Sequence, residues 1–278
     1  MPTNDALPPL KETIARHGLD AKKSLGQHFL LDLNITRKIV RLADVSDADT
    51  VLEVGPGPGG LTRALLETGA RVIAIERDAR CIEAMNELSA FYPGQLTVVE
   101  GDALKVDEDD LLAGTRPFKI VSNLPYNIST ELLVKWLHLS CSTSTTAWSV
   151  MALMFQREVV DRIISTPNNG TYGRLSVIAQ ATSHVARGLD LPARAFTPPP
   201  KVDSSVAVFQ PKSVSIDLTR LERLTQAAFG QRRKMLRTST KAVFGDQAEE
   251  RLIECGIKPT DRAENVEVDD YVSLARSL

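Results

Sequence analysis

Four consecutive residues, Asn123-Leu124-Pro125-Tyr126, carry the combination in this chain best suited to chemistry on a planar, amine-bearing group. The Asn123 amide oxygen is an acceptor. Pro125 fixes its own φ and has no N–H, so neighbouring carbonyls are free to point outward as further acceptors. Tyr126 adds a flat aromatic face. Acceptors beside an aromatic plate match a nucleobase with an exocyclic amine, held by its edge and stacked on its face. Taken alone, the same four residues also describe a proline turn with Asn as a helix cap and Tyr as packing.

The surrounding elements locate the run. Phe118 to Val121 reads as a buried strand, and Glu131 to Leu139 carries apolar residues at helical spacing. The run therefore lies where a strand ends and a helix begins, the place at which open α/β sheets bind ligands. Thr50 to Val54 is an earlier β-rich run, followed by Gly55-Pro56-Gly57-Pro58-Gly59-Gly60 and then by helical periodicity from Leu61 to Thr68. Glycines there let the backbone approach a ligand closely. The helix N-terminus beyond offers free N–H groups to an anion such as a carboxylate. Arg71 to Ile75 is the next strand and ends at Glu76. That acid stands about 20 residues beyond the first glycine, where an α/β nucleotide site places its ribose-binding carboxylate. Leu96 to Val99 is a further strand, closed by Glu100-Gly101-Asp102-Ala103. Asp102 is suited both to accepting a hydrogen bond from an adenine amine and to capping its own turn.

Gly55, Gly57 and Gly60 satisfy the G-x-G-x-x-G spacing of a dinucleotide site. The same strand, turn, helix and acid also serve S-adenosylmethionine, which has a ribose and no pyrophosphate. The spacing does not choose between them, and a purely structural glycine turn is the third reading.

Length and composition set the frame. The 278 residues suffice for one large domain and a smaller one, and 43% hydrophobic with 24% charged residues is ordinary for a soluble globular protein. The formal charge of −2 means that any nucleic-acid surface must come from local clustering. Cys81, Cys141 and Cys255 lie far apart with no CxxC pair, and the four histidines are equally scattered. This argues against a disulfide framework or a metal site and fits a reducing compartment. With no apolar run long enough to cross a bilayer and no signal-peptide pattern in Met1 to Leu10, a cytoplasmic protein is expected.

The remaining segments fill in around this frame. Residues 1 to 21 are Pro-rich, then mildly helical, and read as a peripheral extension. Lys22 to Leu30 reads as a lead-in that can fold over a ligand, and Asp32 to Ala43 as an amphipathic helix. Lys22, Lys23, Arg37, Lys38 and Arg41 suit either phosphate contact or a solvated face. Asp107 to Asp110 reads as a solvated acidic patch. Ala147 to Phe155 is a fifth strand, and Gln156 to Ser165 and Tyr172 to Thr182 are helices around a turn cluster. A strand near His184 to Leu191 and another over Ser204 to Phe209 give a mostly parallel sheet with an antiparallel end. Between them, Ala195 to Asp203 is extended by its prolines, with Phe196 a candidate to face the site. Pro211-Lys212-Ser213 marks a boundary, after which the pattern is helical. From Arg223 to Gly245 there is no acidic residue, whereas Arg223, Arg232, Arg233, Lys234, Arg237 and Lys241 are basic, which suits RNA phosphates.

Several separated motifs resemble those of the rRNA adenine dimethyltransferases. They are Ser24-Leu25-Gly26-Gln27-His28-Phe29-Leu30, Glu53-Val54-Gly55-Pro56-Gly57, Glu76, Glu100-Gly101-Asp102-Ala103 and Ser122-Asn123-Leu124-Pro125-Tyr126-Asn127-Ile128-Ser129. Phe196-Thr197-Pro198-Pro199-Pro200-Lys201-Val202-Asp203-Ser204 and Phe229-Gly230-Gln231-Arg232-Arg233-Lys234-Met235-Leu236-Arg237 complete the set. The match runs in order from Lys22 to the C-terminus. Leu124 and the R-R-K-x-L-R run are most similar to the branch that dimethylates two adjacent adenines near the 3′ end of 16S rRNA. His28 stands where many members carry Asn.

The resemblance implies an α/β, Rossmann-like, S-adenosylmethionine-dependent methyltransferase domain over residues 22–212 and a small, all-helical RNA-binding domain over 213–278, with 1–21 as an extension. It implies His28, Leu30, Gly55, Glu76, Asp102 and Asn123 as cofactor-binding residues and Asn123, Leu124, Pro125 and Tyr126 as catalytic ones. Tyr126, Phe196, Arg232, Arg233, Lys234 and Arg237 are implied to bind substrate. The implied partner is 16S rRNA within the immature 30S subunit, with no metal and no membrane, and the protein acts as a monomer. Three rivals share parts of this pattern: a 23S rRNA enzyme of the macrolide-resistance branch, a nicotinamide-dependent oxidoreductase, and a non-enzymatic small-subunit assembly factor.

Overall fold

The structure is a computed structural model and describes residues 7–19, 27–112, 114–142 and 146–278. Ser24, Leu25 and Gly26 of the first motif, together with Lys22 and Lys23, lie outside the described residues.

The chain forms two compact units. The described residues of the first fall within Met1–Lys135, Thr145–Arg157 and Arg187–Phe209; the second takes Trp136–Ser144, Glu158–Ala186 and Gln210–Leu278.

The first unit is built on a seven-stranded sheet. Its strands are β2 (Thr50–Val54), β3 (Arg71–Glu76), β4 (Leu96–Glu100), β5 (Phe118–Asn123), β6 (Trp148–Gln156), β7 (Ser183–Leu191) and β9 (Ser204–Pro211), in the order β4-β3-β2-β5-β6-β9-β7. A separate two-stranded ribbon joins β1 (Phe29–Leu30) to β8 (Phe196–Thr197). Strands β2 to β6 are parallel, and β9 runs antiparallel to β6. The sheet thus has the mostly parallel body and antiparallel end expected. β2, β3 and β5 are buried along almost their whole length. Parallel strands covered on both faces need such unbroken apolar runs.

Helices α1 (Leu10–Arg16), α2 (Leu33–Leu42), α3 (Gly60–Leu66), α4 (Ala79–Phe91), α5 (Glu108–Leu111) and α6 (Ser129–Ser142) follow in chain order. Aspartates start three of them: Asp32 accepts from Asn34 N, Asp78 from Arg80 N, and Asp107 from Asp109 N and Asp110 N. Each satisfies N–H groups that the first helical turn leaves without partners.

Three expectations for this unit are corrected. The segment before residue 20 is not peripheral: Leu10, Thr13 and Leu19 are buried, Arg63 Nη1 donates to Pro8 O at 2.7 Å, and Arg80 Nη1 donates to Gly18 O at 2.7 Å. The patch Asp107 to Asp110 is not wholly solvated, because Glu108 is buried and pairs with Lys135 Nζ at 2.9 Å. Arg37 does not offer itself to phosphates, because Glu67 binds it through Nε at 2.7 Å and Nη2 at 2.8 Å.

The second unit is helical, with α7 (Arg157–Ile163), α8 (Arg174–Thr182), α9 (Leu218–Gly230), α10 (Leu236–Ser239), α11 (Lys241–Phe244), α12 (Ala248–Glu254) and α13 (Val268–Arg276). Three rings anchor it. Phe229 lies 5.9 Å from Tyr172 and 5.7 Å from Tyr271, and the two phenols donate to Val266 O and Ala263 O. Buried tyrosines need such acceptors to offset lost hydration. Among the described residues no helix is long and apolar enough to cross a membrane.

Candidate active site

A cavity of about 240 Å³ opens at the carboxyl ends of β2, β3, β4 and β5, and every residue lining it belongs to the first unit. Three segments build its walls, and each has a local reason for its shape.

The first segment is the glycine turn after β2. Gly55 has φ +67°, its N–H donates to Ile75 O at 2.9 Å, and a Cβ built on it would lie 3.3 Å from the Pro125 ring. A side chain at Gly55 is thus disfavoured by both conformation and space. Gly60 is tighter, since a Cβ there would stand 2.3 Å from Leu30 O. These glycines let the strap Gln27–Leu30 lie directly across the turn.

The second segment is that strap. His28 O accepts from Asn123 Nδ2 at 3.1 Å, Gln27 Nε2 donates to Asp78 Oδ2 at 3.2 Å, and His28 Nδ1 lies 2.8 Å from Pro198 O. The β1–β8 ribbon pairs Leu30 with Phe196. Arg80 Nη2 meets Asp78 Oδ2 at 2.7 Å, and this partner chiefly holds the Asp78 carboxyl down at about 2. The strap is therefore tied to a carboxylate that stays charged.

The third segment leaves β5. Ser122 Oγ donates to Val54 O at 2.6 Å and locks the ends of β5 and β2 together. Asn123 commits its amide nitrogen to His28 O, which leaves Oδ1 as the acceptor end. Pro125 O accepts from Ile128 N at 3.1 Å, so it is already used by the turn. Among the described residues no donor reaches the Leu124 carbonyl, so of the two main-chain acceptors expected here Leu124 O is the one available. Tyr126 is half-buried, stacks on His28 with ring centroids 5.7 Å apart at 29°, and has its hydroxyl 2.5 Å from Ser204 Oγ.

Two carboxyl groups face the cavity from the strands. Glu76 is 7% exposed and accepts from Gly57 N at 3.2 Å, Arg77 N at 2.7 Å and Asp78 N at 2.9 Å. Burial raises its pKa, and these three donors oppose the rise. Oε2 takes only the Gly57 N–H, so it retains acceptor capacity. Glu53 is 1% exposed, accepts from Thr62 Oγ1 at 2.7 Å, and is pushed up to about 8 chiefly by burial. Asp102 caps its own turn, Oδ1 accepting from Leu104 N at 3.1 Å, and it also lines the cavity, with Oδ2 3.9 Å from Arg77 Nη1.

The cavity brings together His28, Leu30, Gly55, Glu76, Asp102, Asn123, Leu124, Pro125 and Tyr126. It does not include Phe196. That ring is 3% exposed and packs in the hydrophobic core, because ribbon pairing turns it inward. A ring so buried has no free face for a base. In the second unit Arg233 and Lys234 are exposed. Arg232 instead binds Glu264 Oε2 at 2.7 Å and Asn169 O at 3.4 Å, and Arg237 lies 3.8 Å from Glu249. Among the described residues no group of three or more His, Cys, Asp or Glu could hold a metal ion. Glu53 had no role in the sequence reading, although a carboxylate inside the apolar strand Thr50-Val51-Leu52-Glu53-Val54 is the kind of signal that marks one.

The cavity suits a nucleoside-bearing cofactor on its own terms. A buried carboxylate with spare acceptor capacity stands at the end of β3, and the Gly55 position is a cradle that a Cβ would crowd.

Comparisons with known proteins agree. The family model for ribosomal RNA adenine dimethylase matches residues 18–278. The chain is 53% identical over 277 residues to the ribosomal RNA small subunit methyltransferase A of Chelativorans sp. (strain BNC1), covering 99% of both chains. It is 54% identical over 276 residues to the same-named protein of Phenylobacterium zucineum (strain HLK1), covering 98% of this chain and 93% of that one. A dimethyladenosine transferase from Plasmodium falciparum superposes with a TM-score of 0.77 at 26% identity, covering 89% of this chain and 96% of that one. With the sheet, the cavity and full-length similarity in agreement, the chain belongs to the ribosomal RNA adenine dimethylase family of methyltransferases.

Proposed function

We propose that this protein dimethylates the N6 amines of two adjacent adenines near the 3′ end of 16S rRNA, within the immature 30S subunit, using S-adenosylmethionine. The observation that carries this reading is Asn123-Leu124-Pro125-Tyr126 standing in the cavity wall at the exit of β5. The full-length relatives named for the small subunit favour 16S over 23S rRNA.

The cofactor, when bound, supplies an already electrophilic methyl group. Glu76 would hold its ribose hydroxyls, Asp102 its adenine, Gly55 its amino-acid end, and His28 and Leu30 would roof it. The harder half of the chemistry lies with the target amine, whose lone pair is delocalised into the ring. Asn123 Oδ1 and Leu124 O accept its N–H groups and aim the lone pair along the transfer direction. Tyr126 stacks the extruded base. Positioning of this kind contributes on the order of 7–11 kcal/mol to lowering a barrier. The chain needs no covalent nucleophile, and the released proton passes to water. Arg233 and Lys234 meet RNA phosphates.

The test is methyl transfer from labelled S-adenosylmethionine to 30S particles, naked 16S rRNA and 50S particles, with mapping of the modified bases. Dimethyladenine near the 16S 3′ end, lost in Asn123→Ala, is expected. Label confined to 50S particles would move the protein to the 23S branch. Cofactor binding without label on any RNA would favour an assembly factor that works without turnover.

A further inference from the structure

The residue that contacts the far end of Tyr126 is Ser204. Its Oγ lies 2.5 Å from the phenol oxygen, and the serine is fully buried. Ser204 opens β9, where its Cα pairs with that of Gln156 on β6. The residue before it is clamped as well: Asp203 O accepts from Arg157 N at 2.9 Å, and Asp203 Oδ1 accepts from Ala193 N at 2.9 Å. Ser204 is thus fixed by the sheet, whereas Tyr126 sits on the turn that follows β5 and is only half-buried. An aromatic side chain on a turn has two torsions through which its plane can swing. His28 restrains one face of the ring, at 5.7 Å and 29°. Stacking alone permits sliding and tilting, but a hydrogen bond at the para position fixes the far end of the ring.

We propose that Ser204 is a positioning residue for methyl transfer: its buried hydroxyl sets the plane of the Tyr126 ring before the target adenine arrives. The inference rests on the reading of Tyr126 as the platform for that base. It deepens that reading by naming what makes the platform rigid. A preorganised platform spares the complex the cost of ordering the ring when RNA binds. Ser204 itself touches neither base nor cofactor; its effect passes through Tyr126.

The experiment compares Ser204→Ala, Tyr126→Phe, the double variant and Tyr126→Ala in methyl transfer to 30S particles. Ser204→Ala and Tyr126→Phe remove the same bond from opposite ends. Each is expected to lower kcat/KM for the particle by on the order of 5–10-fold, the yield of one such hydrogen bond. The KM for S-adenosylmethionine should stay at its wild-type value, and the double variant should fall no further than the weaker single. Tyr126→Ala should lose on the order of 100-fold, as a misplaced base would. Wild-type kcat/KM in both Ser204→Ala and Tyr126→Phe, beside an inactive Tyr126→Ala, would overturn the role of Ser204 while leaving the platform standing. Losses that multiply in the double variant would overturn it too, because they would show the two hydroxyls acting separately. Full activity in Tyr126→Ala would overturn the platform reading and this inference together. Should Ser204→Ala fail to fold, Tyr126→Phe alone decides: a wild-type rate refutes the proposal.

Discussion

The β carbon that Gly55 lacks would stand 3.3 Å from both Cγ and Cδ of Pro125. Gly55 ends the run out of β2 and Pro125 the run out of β5, and these strands are paired through Leu52 and Ile120. The two loops that would hold cofactor and base therefore touch. Gly55→Ala forces an L-residue into a φ of +67° and pushes on Pro125. The left-handed conformation alone costs about 1–2 kcal/mol, so a loss of about tenfold in S-adenosylmethionine affinity is expected. Isothermal titration of the variant against wild type checks this; equal affinities would refute it.

Asn123 uses both ends of its amide, the nitrogen on His28 O and the oxygen toward the cavity. Asn123→Asp keeps the shape but places a second acceptor against His28 O. The variant is expected to lose methyl transfer by on the order of 100-fold, since a displaced reactant costs about that much. Cofactor retention should also weaken as the strap loosens. Rapid-quench transfer assays and equilibrium dialysis measure the two effects; an Asp variant intact in both would contradict the assigned geometry.

Glu53 makes stability depend on pH. Burial pushes its pKa from the ordinary 4.5 of a free glutamate up to about 8. Between those values the folded protein keeps a proton that the unfolded chain has released, so this group's contribution is full at acid pH and is lost as pH rises toward 8. Glu53→Gln mimics the protonated form throughout. In the absence of cofactor, the variant should gain on the order of a few kcal/mol over wild type between pH 5 and pH 8.5. Parallel urea unfolding curves at the two pH values would show otherwise.

The basic run of the second unit divides by partner. Arg232 binds Glu264 Oε2 at 2.7 Å and Asn169 O at 3.4 Å, so Arg232→Ala should cost folding stability of about 1 kcal/mol after allowance for its partial exposure. Arg233→Ala and Lys234→Ala should leave the melting temperature unchanged. Each should instead reduce by about 1 the slope of log affinity for RNA against log salt. Filter binding across a salt series, beside thermal melts, separates the two classes. An Arg233 variant that melts early and keeps its salt slope would reverse the assignment.

Much of the first unit was legible because parallel strands announce themselves as unbroken apolar runs, and the glycine turn and Asn123-Leu124-Pro125-Tyr126 follow two of them directly. The β1–β8 ribbon was not legible. A two-residue strand has no periodicity to read, and its pairing of Leu30 with Phe196 is set only by the folded sheet. That pairing also hid the fate of Phe196, which lies in a segment extended by its prolines and reads as a candidate to face the site. Charges misled where their partners are distant in the chain: Arg37 with Glu67, and Arg232 with Glu264. The buried pairing of Glu108 with Lys135 shows the same limit. Glu53 stood in plain view, but its protonation depends on burial, which a sequence does not display.

The strap residues Phe29 and Leu30 wait on Thr197 and Phe196, and Tyr126 waits on Ser204. A chain emerging from the ribosome N-terminus first has all the residues that line the cavity once Ile128 is made, yet the partners that fix Phe29, Leu30 and Tyr126 arrive only when about three-quarters of the polypeptide has been made. Synthesis itself thus times the fixing of the strap and of the Tyr126 ring, which come last in a site whose lining is encoded first.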